Sequence, residues 1–242
     1  MGEESNRTIY LYDDKIGSVS LVAHMGTDLT IVNSARVSFG NKKTELDDKD
    51  RRLIKFLVKH KHTSTFEHNV VTFKFVVPLF VRSQHHRHRT WSYNEISRRY
   101  TEKNMDFYLP SRFRTQHRSN RQASNPEELV DPKVWNEETG ILAKSSMTMS
   151  ELLQIRTRDC LDTYHMMLER GVCREQARMV LPQNLYTEYY GTCNLSNLLK
   201  FIDLRSHEGA QWEIQKVANA CLDIASELWP IAVASFREQK NE

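Results

Sequence analysis

The chain has 242 residues, of which 39% are hydrophobic and 27% charged, and its formal net charge is +3. This composition is ordinary for a globular protein and fits one domain or two small ones, while the small charge permits anionic ligands without requiring them. The lack of an apolar run of about 18 residues predicts no membrane span, and the acidic, polar N-terminus is not typical of a secretory signal.

The N-terminal half is predicted to mix strands with helices. Asp47 or Asp48 supplies the N-cap of a helix, and regular alternation of apolar residues predicts a half-buried strand before Pro78. Pro78 ends that strand and is well placed to start a helix, which delivers a cluster of arginines and histidines at its end. The predicted elements are two strands over 9–23, a helix over 47–61, a strand over 69–77 and a helix through 79–81.

The C-terminal half is predicted to be mainly helical. Before it, residues 101–139 are polar, contain three prolines and lack periodicity, which predicts a long loop insertion. The elements that follow are a helix over 149–170 ended by Gly171, a short helix over 174–181, a strand over 185–190, a helix capped by Asn194 and a last helix from about Ala210. Strands early and helices late indicate an α+β fold, a mixed or antiparallel sheet flanked by helices.

The four cysteines are Cys160, Cys173, Cys193 and Cys221. They are widely spaced and include no Cys-x-x-Cys pair. This spacing predicts reduced, mostly buried thiols in a cytoplasmic protein. Because close pairs of ligands are missing, we expect no structural zinc site and no other metal site.

Residues 82–99 form a basic segment with five arginines, three histidines and Glu95 as its single acid. Arginine forks pair with phosphate and carboxylate, so one interpretation is a site for a phosphorylated ligand. Composition alone favours a solvated basic face or a nucleic-acid surface, with Trp91, Tyr93 and Tyr100 as stacking platforms. Metal binding by the histidines is disfavoured because the intervening arginines oppose a cation.

The order of residues within 87–100 narrows these alternatives. The segment reads R-H-R-T-W-S-Y-N-E-I-S-R-R-Y. It resembles the signature of flavin-dependent thymidylate synthases, R-H-R-x-x-S-x-N-E-x-S-x-R-Y, at every fixed position. Other segments resemble motifs of the same family in the same order: A-R-V-S-F at 35–39, H-x-x-x-F-E-H at 62–68, A-R-x-x-L-P at 177–182, and L-R followed by A-Q-x-E-I at 204–214.

The resemblance implies a single flavin-dependent thymidylate synthase domain over 1–242, with the loop insertion at about 101–139. The implied activity is reductive methylation of dUMP to dTMP, with FAD as cofactor, 5,10-methylenetetrahydrofolate as carbon donor and NADPH as reductant. The family forms homotetramers whose active sites are shared between subunits. It needs no cysteine nucleophile, and neither a membrane nor nucleic acid is expected as its main partner. The alternative function is a basic nucleic-acid-binding module.

The resemblance also implies roles for individual residues. Arg205 is the catalytic residue, since a fixed cation at the pyrimidine favours the N3-deprotonated uracil; alternatively, Arg205 only stabilises the end of a helix. The implied dUMP contacts are Gln84, Arg87, Glu95, Ser97, Arg98, Arg99, Arg205 and, from another subunit, Arg178. The implied FAD contacts are Ser38, His62, Ser64, Arg87, His88, Arg89, Asn94, Glu95, Asn194, Ser196 and Lys200.

Overall fold

A computed structural model describes residues 7–134 and 147–241. The polar N-terminus and the part of the predicted loop insertion from 135 to 139 lie outside these residues. The chain divides into two compact units. Unit 1 comprises the described residues of Met1–Val76, Gln84–Asn94 and Glu188–Glu242, and unit 2 comprises those of Val77–Ser83 and Glu95–Thr187.

Within residues 7–134 and 147–241, the strands form one five-stranded and one two-stranded sheet. Their bounds are β1 Thr8–Tyr10, β2 Ser18–Met25, β3 Val70–Pro78, β4 Ser92–Glu95, β5 Phe113–Gln116, β6 Ser124–Val130 and β7 Tyr186–Asn194. The larger sheet has the order β1-β2-β3-β7-β4. The pairs β1–β2 and β2–β3 are antiparallel. The predicted α+β class with an antiparallel sheet is confirmed.

The helices are α1 Asp28–Arg36, α2 Asp48–Lys59, α3 Leu79–His85, α4 Met149–Glu169, α5 Arg174–Ala177, α6 Leu195–Arg205, α7 Trp212–Leu228 and α8 Pro230–Asn241. Short 3₁₀ turns cover Val37–Phe39, Thr63–Phe66 and Arg178–Val180. None of the helices in the described parts of the chain has the length and hydropathy needed to span a bilayer.

The helix and strand borders around β3 follow from local chemistry. The Asp47 side chain accepts hydrogen bonds from the backbone N–H groups of Lys49 and Asp50, so α2 begins where the sequence predicts its cap. Every second residue of β3 from Val71 onward is buried, which confirms the predicted alternation. Pro78 is the last residue of β3, and α3 begins directly after it.

In unit 1, α7 buries an apolar stripe that includes Ile214, Val217 and Ile224, as predicted. Helix α8 was not predicted from the sequence. The chain leaves helical geometry at Trp229, which has φ −134° and ψ 65°, and a new helix starts at Pro230.

In unit 2, β5 and β6 pair antiparallel inside the segment that was predicted to be a loop. These strands were missed because their side chains are partly or fully exposed and therefore lack apolar alternation. The predicted helix over 174–181 is shorter than expected, since α5 ends at Ala177 and a 3₁₀ turn follows.

All four cysteine thiols are free. Cys193 and Cys221 are buried, and burial raises the pKa of both thiols. Cys160 is partly buried, whereas Cys173 is exposed. Cys173 is therefore an exception to the expectation of mostly buried thiols, because it lies at the exposed N-cap of the short helix α5.

Candidate active site

The predicted site residues lie in both compact units. Unit 1 contains Ser38, His62, Ser64, Gln84, Arg87, His88, Arg89, Asn94, Asn194, Ser196, Lys200 and Arg205. Unit 2 contains Glu95, Ser97, Arg98, Arg99 and Arg178.

Arg205, the last residue of α6, contacts the signature directly. Its Nε donates a hydrogen bond of 3.0 Å to Nε2 of His88. Burial, with a contribution from the nearby Arg205 charge, lowers the pKa of His88 to about 4. Burial also lowers the pKa of Arg205. No carboxylate in the described parts of the chain lies within ion-pair distance of Arg205, so its partly buried charge is not compensated.

The turn between His85 and His88 is held by aromatic side chains. The Tyr93 hydroxyl donates to the backbone carbonyls of His85 and His88 at 3.0 and 3.1 Å. His85 itself is fully buried, and its Nδ1 lies 2.8 Å from the Tyr189 hydroxyl. Burial lowers the pKa of His85 well below its usual value. These contacts fix the backbone that carries the R-H-R residues.

The same packing bears on the nucleic-acid interpretation. Trp91 is only 6% exposed, and Tyr93 stacks on it with the ring planes 6° apart. Tyr100, in contrast, is 79% exposed. Two of the three aromatic residues considered as stacking platforms therefore support the protein interior instead.

Arg87 and Arg89 are exposed side chains of unit 1. Within the described residues neither guanidinium has a carboxylate within 4 Å, so both are free to meet an anion. Asn94 is exposed on β4.

Gln84 near the end of α3 hydrogen-bonds through its Nε2 to Oε1 of Gln211. Gln211 in turn donates through its own Nε2 to the buried Glu213 at 2.9 Å. The A-Q-x-E-I segment thus orients Gln84. That segment is recognisable in the sequence, but no role was predicted for Gln211.

A cavity of about 470 Å³ in unit 1 brings three predicted flavin contacts together, namely His62, Ser196 and Lys200. Leu57, Phe66, Leu199 and Phe236 are among its apolar lining residues. The Ser196 hydroxyl is buried and has no hydrogen-bond partner among the described residues. The cavity therefore combines apolar walls with an unsatisfied hydroxyl and the ammonium of Lys200.

The remaining predicted flavin contacts occupy turns and a helix cap. Asn194 caps α6, since its side chain accepts a hydrogen bond of 2.9 Å from the backbone N–H of Asn197. Ser64 is exposed on the 3₁₀ turn that follows His62. Ser38 is exposed on the turn after α1, and its hydroxyl donates to the Ala35 carbonyl at 3.3 Å.

Unit 2 has its own cavity, of about 770 Å³, and it contains four predicted dUMP contacts: Glu95, Ser97, Arg98 and Arg178. Arg178 was expected to reach the site from another subunit, and it lines this cavity together with Glu95 and Ser97 of its own chain. Its exposed side chain donates to the Glu175 carbonyl at 3.3 Å.

Arg98 and Arg99 differ in their surroundings. The buried Arg98 guanidinium donates to the backbone carbonyls of Lys103, Asn104 and Tyr186, the last two at 2.8 and 3.2 Å. Burial lowers the pKa of Arg98. Its guanidinium thus holds its own chain, although the sequence prediction assigned it to dUMP. Arg99 is exposed, and its Nη2 lies 4.0 Å from Oε2 of Glu175, which is a weak ion pair.

Two lining residues of the unit 2 cavity were missed by the sequence analysis. Thr187 donates from Oγ1 to Oε1 of Glu95 at 2.7 Å, and Arg82 Nε lies 3.2 Å from the same oxygen. Arg82 was counted in the basic segment without a role. Nothing in the sequence marks Thr187, because strand pairing brings it to Glu95 from 92 residues away.

Residues 7–134 and 147–241 contain no group of three or more His, Cys, Asp or Glu side chains that could hold a metal ion. Of the three histidines considered as metal ligands, His85 is instead bonded to Tyr189 and His88 to Arg205.

Comparison with known proteins places the fold and site in context. The family model for thymidylate synthase complementing protein matches residues 20–231. A flavin-dependent thymidylate synthase of Thermus thermophilus is 42% identical over 226 residues, covering 93% of this chain and 77% of its own. That of Thermotoga neapolitana is 41% identical over 220 residues, covering 91% and 90%.

A solved structure shares the fold. The UMP/dUMP methylase PolB from Streptomyces cacaoi, bound with 5-Br dUMP, superposes with a TM-score of 0.74 and 30% identity, covering 91% of this chain and 94% of PolB. Fold and sequence together define an enzyme of the methyltransferase class. The family match includes every motif-bearing segment, and the chain belongs to the flavin-dependent thymidylate synthases.

Proposed function

We propose that this enzyme methylates dUMP to dTMP reductively, with FAD as cofactor, 5,10-methylenetetrahydrofolate as carbon donor and NADPH as reductant. Membership of the flavin-dependent family supports the flavin, and the PolB structure with 5-Br dUMP supports a uracil nucleotide as substrate. The observation that carries the proposal is the partly buried charge of Arg205, held by His88 and paired with no carboxylate of the described residues.

Arg205 acts on the pyrimidine in this proposal. A cation that lacks a carboxylate partner attracts an anionic ligand, and it favours the N3-deprotonated form of uracil over the neutral form. The hydrogen bond from Nε to His88 fixes the direction of the guanidinium, and no side chain of the described residues accepts a hydrogen bond from its two terminal nitrogens. Arg205 therefore polarises the ring for carbon–carbon bond formation while His88 keeps it oriented.

The nucleotide is held by Gln84, Arg87, Glu95, Ser97, Arg98, Arg99 and Arg178. A nucleotide monophosphate is nearly dianionic at neutral pH, and guanidinium groups pair with it through two charge-assisted bonds each. Arg87, Arg99 and Arg178 are exposed and suited to that role. Because the Arg98 guanidinium is bonded internally, Arg98 contributes through its backbone and through the shape of residues 97–104.

The cavity near Ser196 fits a flavin. A flavin presents an apolar ring system with a polar edge, and the cavity pairs apolar walls with the unsatisfied Ser196 hydroxyl. The residues that would hold FAD are Ser38, His62, Ser64, Arg87, His88, Arg89, Asn94, Glu95, Asn194, Ser196 and Lys200. When bound, the flavin supplies the redox chemistry of the reaction, and the protein supplies orientation and charge.

The assembly belongs to the proposal as well. We infer a single-domain subunit in a homotetramer whose active sites are shared, with Arg178 serving the site of a neighbouring chain. Light scattering coupled to gel filtration measures the mass of the assembly, and a monomeric mass for active enzyme would contradict the sharing.

The test is tritium release from 5-tritiated dUMP by the purified full-length chain. The expected result is release that requires FAD, NADPH and 5,10-methylenetetrahydrofolate together, since all three enter the proposed reaction. Omitting each in turn supplies the controls. A folded protein that releases no tritium under complete conditions would overturn the proposed reaction.

A further inference from the structure

Glu95 of the signature has two partners that lie outside every recognised motif. Its Oε1 accepts a hydrogen bond of 2.7 Å from Thr187 Oγ1 and lies 3.2 Å from Nε of Arg82. The three residues line the same cavity of about 770 Å³ in unit 2. Thr187 is only 4% exposed, so its hydroxyl has little access to water as an alternative partner.

The two contacts differ in kind. The Thr187 hydroxyl donates a hydrogen bond to a carboxylate. Hydrogen bonds to a charged acceptor are stronger than those between two neutral groups. The Arg82 Nε–H group is buried but does not point along a hydrogen bond to Glu95, so this contact is an electrostatic one. Thr187 consequently sets the direction of the carboxylate, and Arg82 adds attraction without fixing an angle.

Both contacts use the same carboxylate oxygen. The terminal torsion of a glutamate is broad and is not fixed by the rotamers of its stem. Anchoring Oε1 removes that freedom. Among the described residues no hydrogen bond reaches Oε2, so this second oxygen is available at a defined place in the cavity. A carboxylate oxygen only accepts hydrogen bonds, and its complement is a hydroxyl or N–H donor of the ligand.

We propose that Thr187 and Arg82 are positioning residues that orient Glu95 for binding of the uracil nucleotide. This inference rests on the proposed function, since it assigns Glu95 a donor group of dUMP. Neither residue need touch the substrate. Their effect passes through the one carboxylate that both contact.

The experiment measures dUMP affinity of the FAD-loaded enzyme by isothermal titration calorimetry, together with KM and kcat. Thr187→Val keeps the shape of the side chain and removes the hydroxyl, and it should weaken dUMP binding about tenfold. Thr187→Ser keeps the hydroxyl and should restore affinity to within about threefold of the wild type. Arg82→Gln should weaken binding less than Thr187→Val, because its contact is less directional.

The matched control lies on the same strand. Thr192 of β7 bonds through its hydroxyl to Thr72 at 2.9 Å and lines no part of this cavity. Thr192→Val should leave the dUMP affinity unchanged. The circular dichroism spectrum and KM for NADPH should also stay at wild-type values in Thr187→Val, since a general loss of structure would change them together.

A double-mutant cycle separates action through Glu95 from a direct or purely structural effect. Glu95→Gln alone should weaken dUMP binding, and adding Thr187→Val should then cost much less than it does in the wild type. Full additivity, or unchanged affinity in Thr187→Val, would overturn the inference. A wild type that binds dUMP without turnover sinks the proposed reaction alone, because the affinity series still decides the role of Thr187. A wild type that binds no dUMP sinks both.

Discussion

The guanidinium of Arg205 donates from Nε to Nε2 of His88 across 3.0 Å, linking the end of α6 to the R-H-R turn. A guanidinium has no acceptor, so His88 must present an unprotonated Nε2. Burial together with the Arg205 charge lowers the pKa of His88 to about 4, which keeps the ring neutral at pH 7. The neutral histidine thus orients the Arg205 cation and leaves its charge intact, whereas a carboxylate in the same place would neutralise it.

The first prediction concerns that cation. Arg205→Ala should lower kcat for dTMP formation by about 10²–10³-fold, because it removes the charge proposed to stabilise the uracil anion. Arg205→Lys keeps the charge but not the fork that bonds His88, so its kcat should fall between those of the wild type and the alanine variant. Steady-state tritium release gives the kcat values.

Folding must be intact for this comparison. Unchanged flavin content and an unchanged melting temperature in Arg205→Ala establish that. Wild-type kcat in a folded Arg205→Ala enzyme would remove Arg205 from the chemistry and favour its alternative role at the helix end.

The second prediction concerns acid stability. The folded-state pKa of His88, about 4, is below the ordinary value of 6.5, so the unfolded chain binds the proton more tightly. The free energy of unfolding should therefore lose nothing to His88 above pH 6.5, and it should decline as the pH falls from 6.5 toward 4. Buried His85, whose pKa is also lowered, adds to the same decline.

His88→Gln tests this assignment. The glutamine carbonyl can accept the bond from Arg205 but does not titrate, so the decline between pH 6.5 and 4 should become shallower without vanishing. Urea unfolding at half-unit pH steps gives the two curves. Identical slopes for the two proteins would show that the charge change at His88 does not affect folding.

The elements that depend on local periodicity could be predicted from the sequence alone. The alternation in β3 and the N-cap at Asp47 were predicted because each feature is determined by residues that are close together in the chain. Helix α1 was missed since its buried apolar residues are only Ile31 and Val32, too few for a recognisable stripe. Strands β5 and β6 were missed because they have no buried face.

The candidate site also has a part that local sequence predicts and a part that depends on residues distant in the chain. Residues 87–100 are recognisable because nine fixed positions stand in order within fourteen. The hydrogen bond of Thr187 to Glu95 and the internal bonding of Arg98 depend on distant strands meeting, and no local pattern encodes them. The roles assigned by resemblance to individual dUMP and FAD contacts remain predictions.

The third prediction concerns a tight contact in unit 1. Gly26 has φ +86°, and a Cβ there would lie 2.2 Å from Oδ1 of Asn69. Asn69 Oδ1 accepts a hydrogen bond of 3.0 Å from Nε1 of buried Trp229, and so it cannot move freely. Gly26→Ala therefore combines backbone strain with a clash, and it should lower the free energy of unfolding by roughly 2–4 kcal/mol.

Gly171→Ala is the matched variant. Gly171 has a similar φ of +85°, but a Cβ there would meet no atom within 4 Å. Its cost should be strain alone, about 1 kcal/mol. Urea unfolding measures both. Equal losses in the free energy of unfolding would mean that Asn69 moves away from the new Cβ at no energetic cost.

The fourth prediction concerns a buried carboxylate that ties α1 to α2. Asp50 is fully buried, and its two oxygens contact Arg36 Nη2 at 2.6 Å and Lys43 Nζ at 2.5 Å. Asp50→Asn removes the negative charge and leaves two cations facing a neutral amide. Arg36 and Lys43 are each more than a quarter exposed, so water offsets part of the loss, and the cost should be about 3 kcal/mol.

Asp48→Asn, in the same first turn of α2, is the control. Asp48 is exposed, and its charge contributes only through the helix dipole, so the cost should stay below about 1 kcal/mol. Urea unfolding at pH 7 compares the two variants. Because the segment between Arg36 and Lys43 carries Ser38, a proposed FAD contact, Asp50→Asn should also lower FAD affinity, measured by fluorescence titration of the apoenzyme. A destabilised Asp50→Asn that binds FAD as tightly as the wild type would confine this cluster to folding and separate it from the cofactor.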